Sequence, residues 1–159
     1  MTKNKNNQAI WGIRIKKDTS ALFKKVGSSI DVDKRLYKED IIGSIAHVEM
    51  LFKQKIINFK IKNKIIYGLT KINNEITDNK FEFNKKYEDI HMNIEKRLFQ
   101  IIGEEAGFVH IARSRNDQVI TDFKIWIRSA TQEINILLDR IIKNTLRLAE
   151  KNIYTIMPG

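Results

Sequence analysis

The sequence has no cysteine, a single proline and only seven glycines among its 159 residues. Without cysteine there are no disulfides and no thiolate metal sites, and a reducing compartment fits, so we expect a cytoplasmic protein. Glycine and proline interrupt helices, so their scarcity favours a largely helical fold. No apolar run approaches the roughly 18–20 residues of a membrane helix. The basic, polar N-terminus has no apolar stretch after it, so we expect neither membrane span nor secretory signal.

Hydrophobic residues make up 42% of the chain and charged residues 30%, a composition typical of globular proteins. The net charge of +10 is compatible with a nucleic-acid binder, whose affinity would fall steeply with salt. However, the lysines are dispersed along a chain that is rich in Lys, Asn and Ile throughout. We therefore attribute the charge to composition and expect no nucleic-acid partner.

Apolar residues recur at spacings of three and four in four segments, which predicts four amphipathic helices. The segments are residues 33–54, 58–79, 88–103 and 117–152. The candidate capping residues are Asp33, Asn58 and Asp89 at the starts of the first three segments and Gly103 at the end of the third. Within the first segment, Gly43 and Ser44 lower the helix propensity but permit close packing against a neighbouring element.

The last segment carries a long apolar seam in a 3-4-3-4 rhythm, typical of a helix in a bundle. The seam consists of Ile120, Phe123, Ile127, Ala130, Ile134, Leu137, Ile141 and Leu148. A helix of this length spans about 50 Å, more than a small domain can cover, so we expect partner helices from more chain or other subunits. The sequence predicts an all-α fold. We expect residues 1–10 to form a disordered tail, 11–112 a small helical domain, and 113–159 the start of a truncated helical-bundle domain.

The polar stretch HIARSRNDQ, residues 110–118, lies where the long helix should begin. A helix N-terminus with free N–H groups, together with the forked guanidinium groups of Arg113 and Arg115, would suit a carboxylate. Arginine is informative here because the chain otherwise prefers lysine, which lacks the planar fork. The alternative is a capping cluster, in which Ser114, Asn116 or Asp117 caps the helix and the arginines are exposed.

A second polar cluster, YEDIHMNIEKR, contains Asp89, His91 and Glu95. His91 and Glu95 are one helical turn apart and share a face. A metal site would need a third ligand and usually a second histidine, and the segment offers neither, so we expect no bound metal. The alternative is a capped helix with a solvent-facing ion pair to Lys96 or Arg97.

Five segments together resemble the N-terminal part of argininosuccinate lyases, a branch of the superfamily that includes fumarase, aspartase, adenylosuccinate lyase and the delta crystallins. They are WGIRI, SSIDVDKRLYKEDIIGSIAHVEML, EDIHMNIEKRL, HIARSRNDQVITDFKIWIR and TIMPG, in order over residues 11–159. The run RSRNDQ is quite specific to this branch. The resemblance implies reversible elimination of argininosuccinate to arginine and fumarate, no cofactor, and a homotetramer whose active sites combine residues of three subunits.

The resemblance also implies roles for individual residues. Ser29 and Asn116 match substrate contacts of the family, and Arg113, Ser114 and Arg115 fall in the same motif as further substrate or carboxylate contacts. Asp89 and His91 match a supporting segment at the edge of the site. The catalytic histidine and serine of the family lie further along the chain than Gly159, so we expect an N-terminal fragment that is inactive alone.

Four positions depart from the family pattern. Ile13, Ile15 and Ile111 stand where the family commonly has Gly, Phe and Thr, and Lys55 stands where a glycine commonly ends a helix. These departures leave open a second interpretation, a catalytically inactive structural homologue of the delta crystallin kind.

Overall fold

The computed structural model describes residues 26–156 and 158–159, so the expectations for residues 1–25, including the tail and the WGIRI segment, lie outside it. The elements, in chain order, are α1 (Ile30–Asp33), a 3-10 helix (Lys34–Leu36), α2 (Tyr37–Lys53), α3 (Phe59–Thr77), α4 (Ile90–Ile102), a second 3-10 helix (Gly103–His110) and α5 (Arg115–Lys151). No strand occurs among the described residues. The predicted all-α class is confirmed.

The starts of α3 and α4 are fixed by the predicted caps. The Asn58 side chain accepts a hydrogen bond from the Ile61 N–H at 2.9 Å, and Asp89 accepts one from the Met92 N–H at 2.6 Å. Each cap satisfies one of the N–H groups that a helix start leaves without a partner. Gly103, with a φ of +79°, ends α4 in a conformation that side chains disfavour.

Asp33 does not cap the first long helix as the sequence predicted. A 3-10 turn follows it, and α2 begins only at Tyr37, with no side-chain cap. The Asp33 carboxylate instead accepts hydrogen bonds from the Ser29 hydroxyl at 2.5 Å and from the Ile90 backbone N–H at 3.2 Å. It therefore ties the loop before α1 to the start of α4, a contact between residues too far apart in sequence for capping patterns to reveal.

The core lies between α2, α3 and α4. Its fully buried side chains include Val48 and Leu51 of α2, Ile65, Leu69 and Ile72 of α3, and Ile90 and Leu98 of α4. A Cβ atom at Gly68 would overlap the Leu98 side chain, so glycine allows α3 and α4 to approach closely at this point. The apolar stripes predicted for these helices thus form one shared core.

Helix α5 is packed on the domain only near its start. It has 37 residues, of which only Gln118 and Asp122 are buried, and residues 131–151 are all exposed. The predicted seam is therefore uncovered in the described part of the chain, with Ile127 42% and Leu148 62% exposed. None of the described helices is both long and apolar enough to cross a membrane.

Candidate functional site

Ser114 is the residue that caps α5. Its hydroxyl accepts a hydrogen bond from the Asn116 N–H at 3.2 Å, and the Asn116 side chain is left exposed at the first turn. Just before the cap, Ala112 has a φ of +55°, a conformation that costs a non-glycine residue about 1 kcal/mol. Nε2 of His47 lies 2.9 Å from the Ile111 carbonyl and fixes the chain where this turn begins.

The two arginines of the motif have different surroundings, and both are partly buried. Arg113 donates from Nη1 to the Ser44 hydroxyl of α2 at 2.9 Å. Nη1 of Arg115 lies 2.9 Å from Oε1 of Glu95 and donates to the Gln118 amide oxygen at 2.7 Å. The alternative of a capping cluster is therefore confirmed for Ser114, but its expectation of exposed arginines is wrong.

The Arg115 guanidinium group keeps unused donors. Its Nε lies 3.6 Å from the Asp89 carboxylate, an ion pair too long for a hydrogen bond. Nε and Nη2 are both buried and have no hydrogen-bond acceptor among the described residues. Buried N–H groups without acceptors are costly, so a small shift of this side chain or a bound acceptor would lower the energy of the site.

His91 lies in a buried polar cluster rather than on the surface. Its Nδ1 donates to Oδ1 of Asp40 at 3.0 Å and lies 3.5 Å from Oδ2 of Asp122. All three side chains are at most 2% exposed. The Gln118 amide nitrogen also donates to Asp40. The alternative of a capped helix with a solvent-facing ion pair is therefore confirmed for the Asp89 cap but wrong for His91, which is buried. Arg97, one of the two suggested ion-pair partners, pairs instead with Glu75 on α3.

Sequence analysis missed Asp40, Gln118 and Asp122 as members of this cluster. The available signal was spacing: Asp40 and Ser44 are one turn apart on α2, and Gln118 and Asp122 are one turn apart on α5. On α2, Gly43 lies between Asp40 and Ser44 in the sequence, and a Cβ atom added to it would be 3.1 Å from the Asp122 carboxylate of α5. The close approach predicted at Gly43 and Ser44 is thereby confirmed, and the neighbour is the first part of α5.

Burial and mutual charge shift the pKa values within the cluster. Burial, with the nearby Asp40 charge, raises the pKa of Asp122 to about 7. Burial disfavours the charged form of His91, but its hydrogen bond and attraction to Asp40 prevail, so its pKa is raised. Burial would likewise raise the pKa of Asp40, but contacts with His91 and Gln118 lower it. The cluster thus holds an Asp40–His91 ion pair beside a carboxyl group that is partly protonated at neutral pH.

The cluster also bears on the metal prediction. Ligand atoms of Asp40, His91 and Asp122 all lie within 4.8 Å of one another, so the third ligand that the sequence did not reveal is present in space. However, Oδ1 of Asp40 already accepts hydrogen bonds from His91 and Gln118, and the Arg113 guanidinium lies near Asp122. Arg113 would repel a cation here, and Asp40 already accepts two hydrogen bonds. The contacts therefore favour hydrogen bonding within the protein over a bound cation.

The loop containing Ser29 joins the same end of the domain. Ser29 is exposed, and its backbone N–H donates to the Glu88 carbonyl at 2.8 Å. The next residue, Asp89, is the ion-pair partner of Arg115. The structure therefore connects Ser29, Asp89 and Arg115 at the starts of α1, α4 and α5. The exposed Asn116 follows directly, whereas the buried His91 lies beneath this surface.

The fold and this surface define the class: an all-α protein whose long helix, mostly uncovered in the described part of the chain, begins at a group of arginine, serine and asparagine side chains suited to carboxylates. Residues 13–159 match the family model described as lyase, and the chain belongs to this lyase family.

Three curated relatives are named argininosuccinate lyase. The protein of Pelagibacter ubique strain HTCC1062 is 77% identical over all 159 residues, which cover 34% of the relative. That of Bartonella bacilliformis is 45% identical over the whole chain, again 34% of the relative. That of Ehrlichia chaffeensis is 51% identical over 150 residues, 94% of this chain and 32% of the relative. The chain thus spans about a third of the length of these relatives.

Proposed function

We propose that the chain forms the N-terminal third of an argininosuccinate lyase, which splits argininosuccinate reversibly into arginine and fumarate. The observation that carries the proposal is the 77% identity to the Pelagibacter argininosuccinate lyase over the entire chain. The RSRN motif at the start of α5 provides independent chemical support, because its donors suit a substrate with several carboxylates.

In the proposed site, Ser29 and Asn116 bind substrate directly. Both side chains are exposed on the same end of the domain, and both can donate hydrogen bonds to a carboxylate. Ser114 accepts a hydrogen bond while capping α5, but its hydroxyl proton remains available to a ligand. Arg113 and Arg115 each bond to a protein group through Nη1 and hold positive charge near this surface, and Nε and Nη2 of Arg115 have no acceptor among the described residues and could donate to a bound carboxylate.

The proposed reaction removes a proton from the carbon beta to the departing nitrogen, giving a carbanion stabilised by the adjacent carboxylate. The guanidinium nitrogen then leaves with assistance from an acid. Negative charge accumulates on carboxylate oxygens, so fixed donors there lower the barrier. The proposal assigns no proton-transfer role to this chain; Asp89 and His91 support the substrate-binding residues from behind.

The proposal extends to the assembly. We propose a cytoplasmic homotetramer in which other helices cover the seam of α5 and other subunits complete each active site. The uncovered apolar side chains between Ile127 and Leu148 support this arrangement. The predicted division between a domain ending at residue 112 and a bundle beginning at residue 113 belongs to the same proposal.

The test is steady-state kinetics of the complete enzyme with argininosuccinate. Asn116→Ala should lower kcat/KM by about tenfold or more, because a hydrogen bond to a charged carboxylate is lost. Asn63→Ala, at an exposed asparagine of α3, is the matched control and should leave the kinetics unchanged. Unaltered kcat/KM in Asn116→Ala would refute the role of Asn116, and a wild-type enzyme that does not cleave argininosuccinate would refute the function.

A further inference from the structure

Gln118 lies between two charged groups of opposite sign. Its side chain is 2% exposed, on the second turn of α5. The amide oxygen accepts a hydrogen bond from Nη1 of Arg115 at 2.7 Å, and the amide nitrogen donates to the carboxylate of Asp40. Since an amide presents one acceptor end and one donor end, only one orientation of Gln118 satisfies both neighbours.

We infer that Gln118 is a positioning residue, which links the buried Asp40–His91 pair to Arg115 and so fixes the first turn of α5, where Ser114 and Asn116 meet the substrate. This inference rests on the proposed function for the identity of the substrate. Asp40 is held in turn by His91, so the Gln118 amide cannot rotate without breaking a buried hydrogen bond to a charged group.

Among the partners of Arg115, Gln118 makes the shortest and most buried contact. The contacts of Arg115 with the Glu95 and Asp89 carboxylates are ion pairs without hydrogen-bond geometry, and among the described residues only Gln118 accepts a side-chain hydrogen bond from this arginine. The contact to Asp89 is also 3.6 Å long. An ion pair without a directed hydrogen bond fixes the orientation of a guanidinium group less well than a short hydrogen bond to a buried amide does. Loss of Gln118 should therefore release the guanidinium group although both carboxylates remain.

The experiment compares three variants of the complete enzyme. Gln118→Met keeps the length of the side chain and removes both hydrogen bonds, and Gln118→Glu keeps an acceptor for Arg115. Gln100→Met is the matched control, because Gln100 also accepts from an arginine, Arg97, but lies on the exposed face of α4. KM, kcat per folded site and melting temperature are measured for each.

We expect Gln118→Met to raise KM for argininosuccinate about tenfold with kcat nearly unchanged, as for a loss of uniform substrate binding. Gln118→Glu should keep KM within about threefold of the wild-type value only at low pH, where its protonated carboxyl group can still donate to Asp40 and accept from Arg115; KM should rise as the pH increases and the two carboxylates repel each other. Gln100→Met should change neither quantity. A purely structural role would instead make KM follow the melting temperature across the variants, or leave KM unchanged, and either result would overturn the inference.

Crystal structures separate this inference from the proposed function. If the wild-type enzyme does not act on argininosuccinate, the function fails, but the position of Arg115 can still be compared between wild type and Gln118→Met. We expect the guanidinium group to leave Glu95 in the variant. An Arg115 that stays 2.9 Å from Glu95, as in the wild type, would overturn the positioning role whatever the substrate.

Discussion

Replacing Asp122 with asparagine should remove most of the pH dependence of stability that the buried cluster creates. Asp122 is fully buried, and its carboxylate oxygens have no hydrogen-bond partner among the described residues. Asparagine has nearly the same shape and cannot ionise. Its amide can also donate to the neighbouring Asp40. The variant therefore isolates the cost of the charge with little change in packing.

The magnitude follows from the shift in pKa. Burial and the Asp40 charge raise the pKa of Asp122 from 3.8 to about 7. At 1.36 kcal/mol per pKa unit, this corresponds to about 4 kcal/mol of unfolding free energy over the whole titration. Between pH 5 and pH 8, a range that avoids acid denaturation, the titration of Asp122 should change the unfolding free energy by about 2.5 kcal/mol.

The sign is set by which state binds the proton more tightly. The folded pKa of Asp122 is raised, so between pH 3.8 and about 7 the unfolded chain loses a proton that the folded chain retains. Stability therefore falls as the pH rises through this window and levels off above it. His91, whose pKa is also raised, acts in the same direction above pH 6.5, since its contribution disappears as it deprotonates. The difference between wild type and variant therefore reports the charge of Asp122 together with its effect on the neighbouring Asp40–His91 pair.

The assay is urea unfolding followed by far-ultraviolet circular dichroism, at several pH values and at low protein concentration to limit association through the seam. Asp122→Asn should gain about 2.5 kcal/mol relative to wild type between pH 5 and pH 8. Asp139→Asn, at an exposed aspartate of the same helix, controls for the loss of a carboxylate and should follow wild type. Parallel stability curves for wild type and Asp122→Asn would refute the assignment of a raised pKa.

Two further predictions concern the contacts of α5. Gly43→Ala should destabilise the fold by about 1 kcal/mol in urea unfolding, because the crowding of its new Cβ atom, 3.1 Å from the buried Asp122 carboxylate, outweighs the helix propensity gained with alanine. Gly107→Ala is the control, since nothing lies within 4 Å of its Cβ position; equal losses in both variants would contradict the packing argument. Replacing Leu137 and Ile141 together by glutamate should weaken self-association about tenfold or more in sedimentation velocity. Sedimentation that is unchanged would show that the exposed seam does not drive association.

The sequence predicted those parts of the fold that depend on local spacing. Asn58 and Asp89 are caps that act within three residues, and the apolar seam of α5 has a regular period, so both were correctly predicted. Lys55, noted only as a departure from the family glycine, proves to have a φ of +60°, which explains why glycine suits that position. Local rules failed at Asp33, because its partner Ile90 is 57 residues away.

Of the candidate site, only the local motif could be predicted from the sequence. The RSRN motif and its position at a helix start were found from residue types and from the resemblance to a known family. The network beneath it was not, because Asp40, His91 and Asp122 come from three helices and meet only after packing. The overlooked signal was the one-turn spacing of polar residues, Asp40 with Ser44 on α2 and Gln118 with Asp122 on α5.

The attachment of α5 at one end gives it the mechanics of a lever. From Asp122, the last buried residue, to Lys151 the helix extends about 44 Å, so a tilt of about 5° at the attachment moves the far end by about 4 Å. A sideways displacement of that size is nearly half of the roughly 8–10 Å that separates the axes of packed helices. The few hydrogen bonds around Asp40 and Gln118 therefore set the alignment of apolar side chains far from them, and small errors in the cluster would be amplified into misregistered packing along the seam.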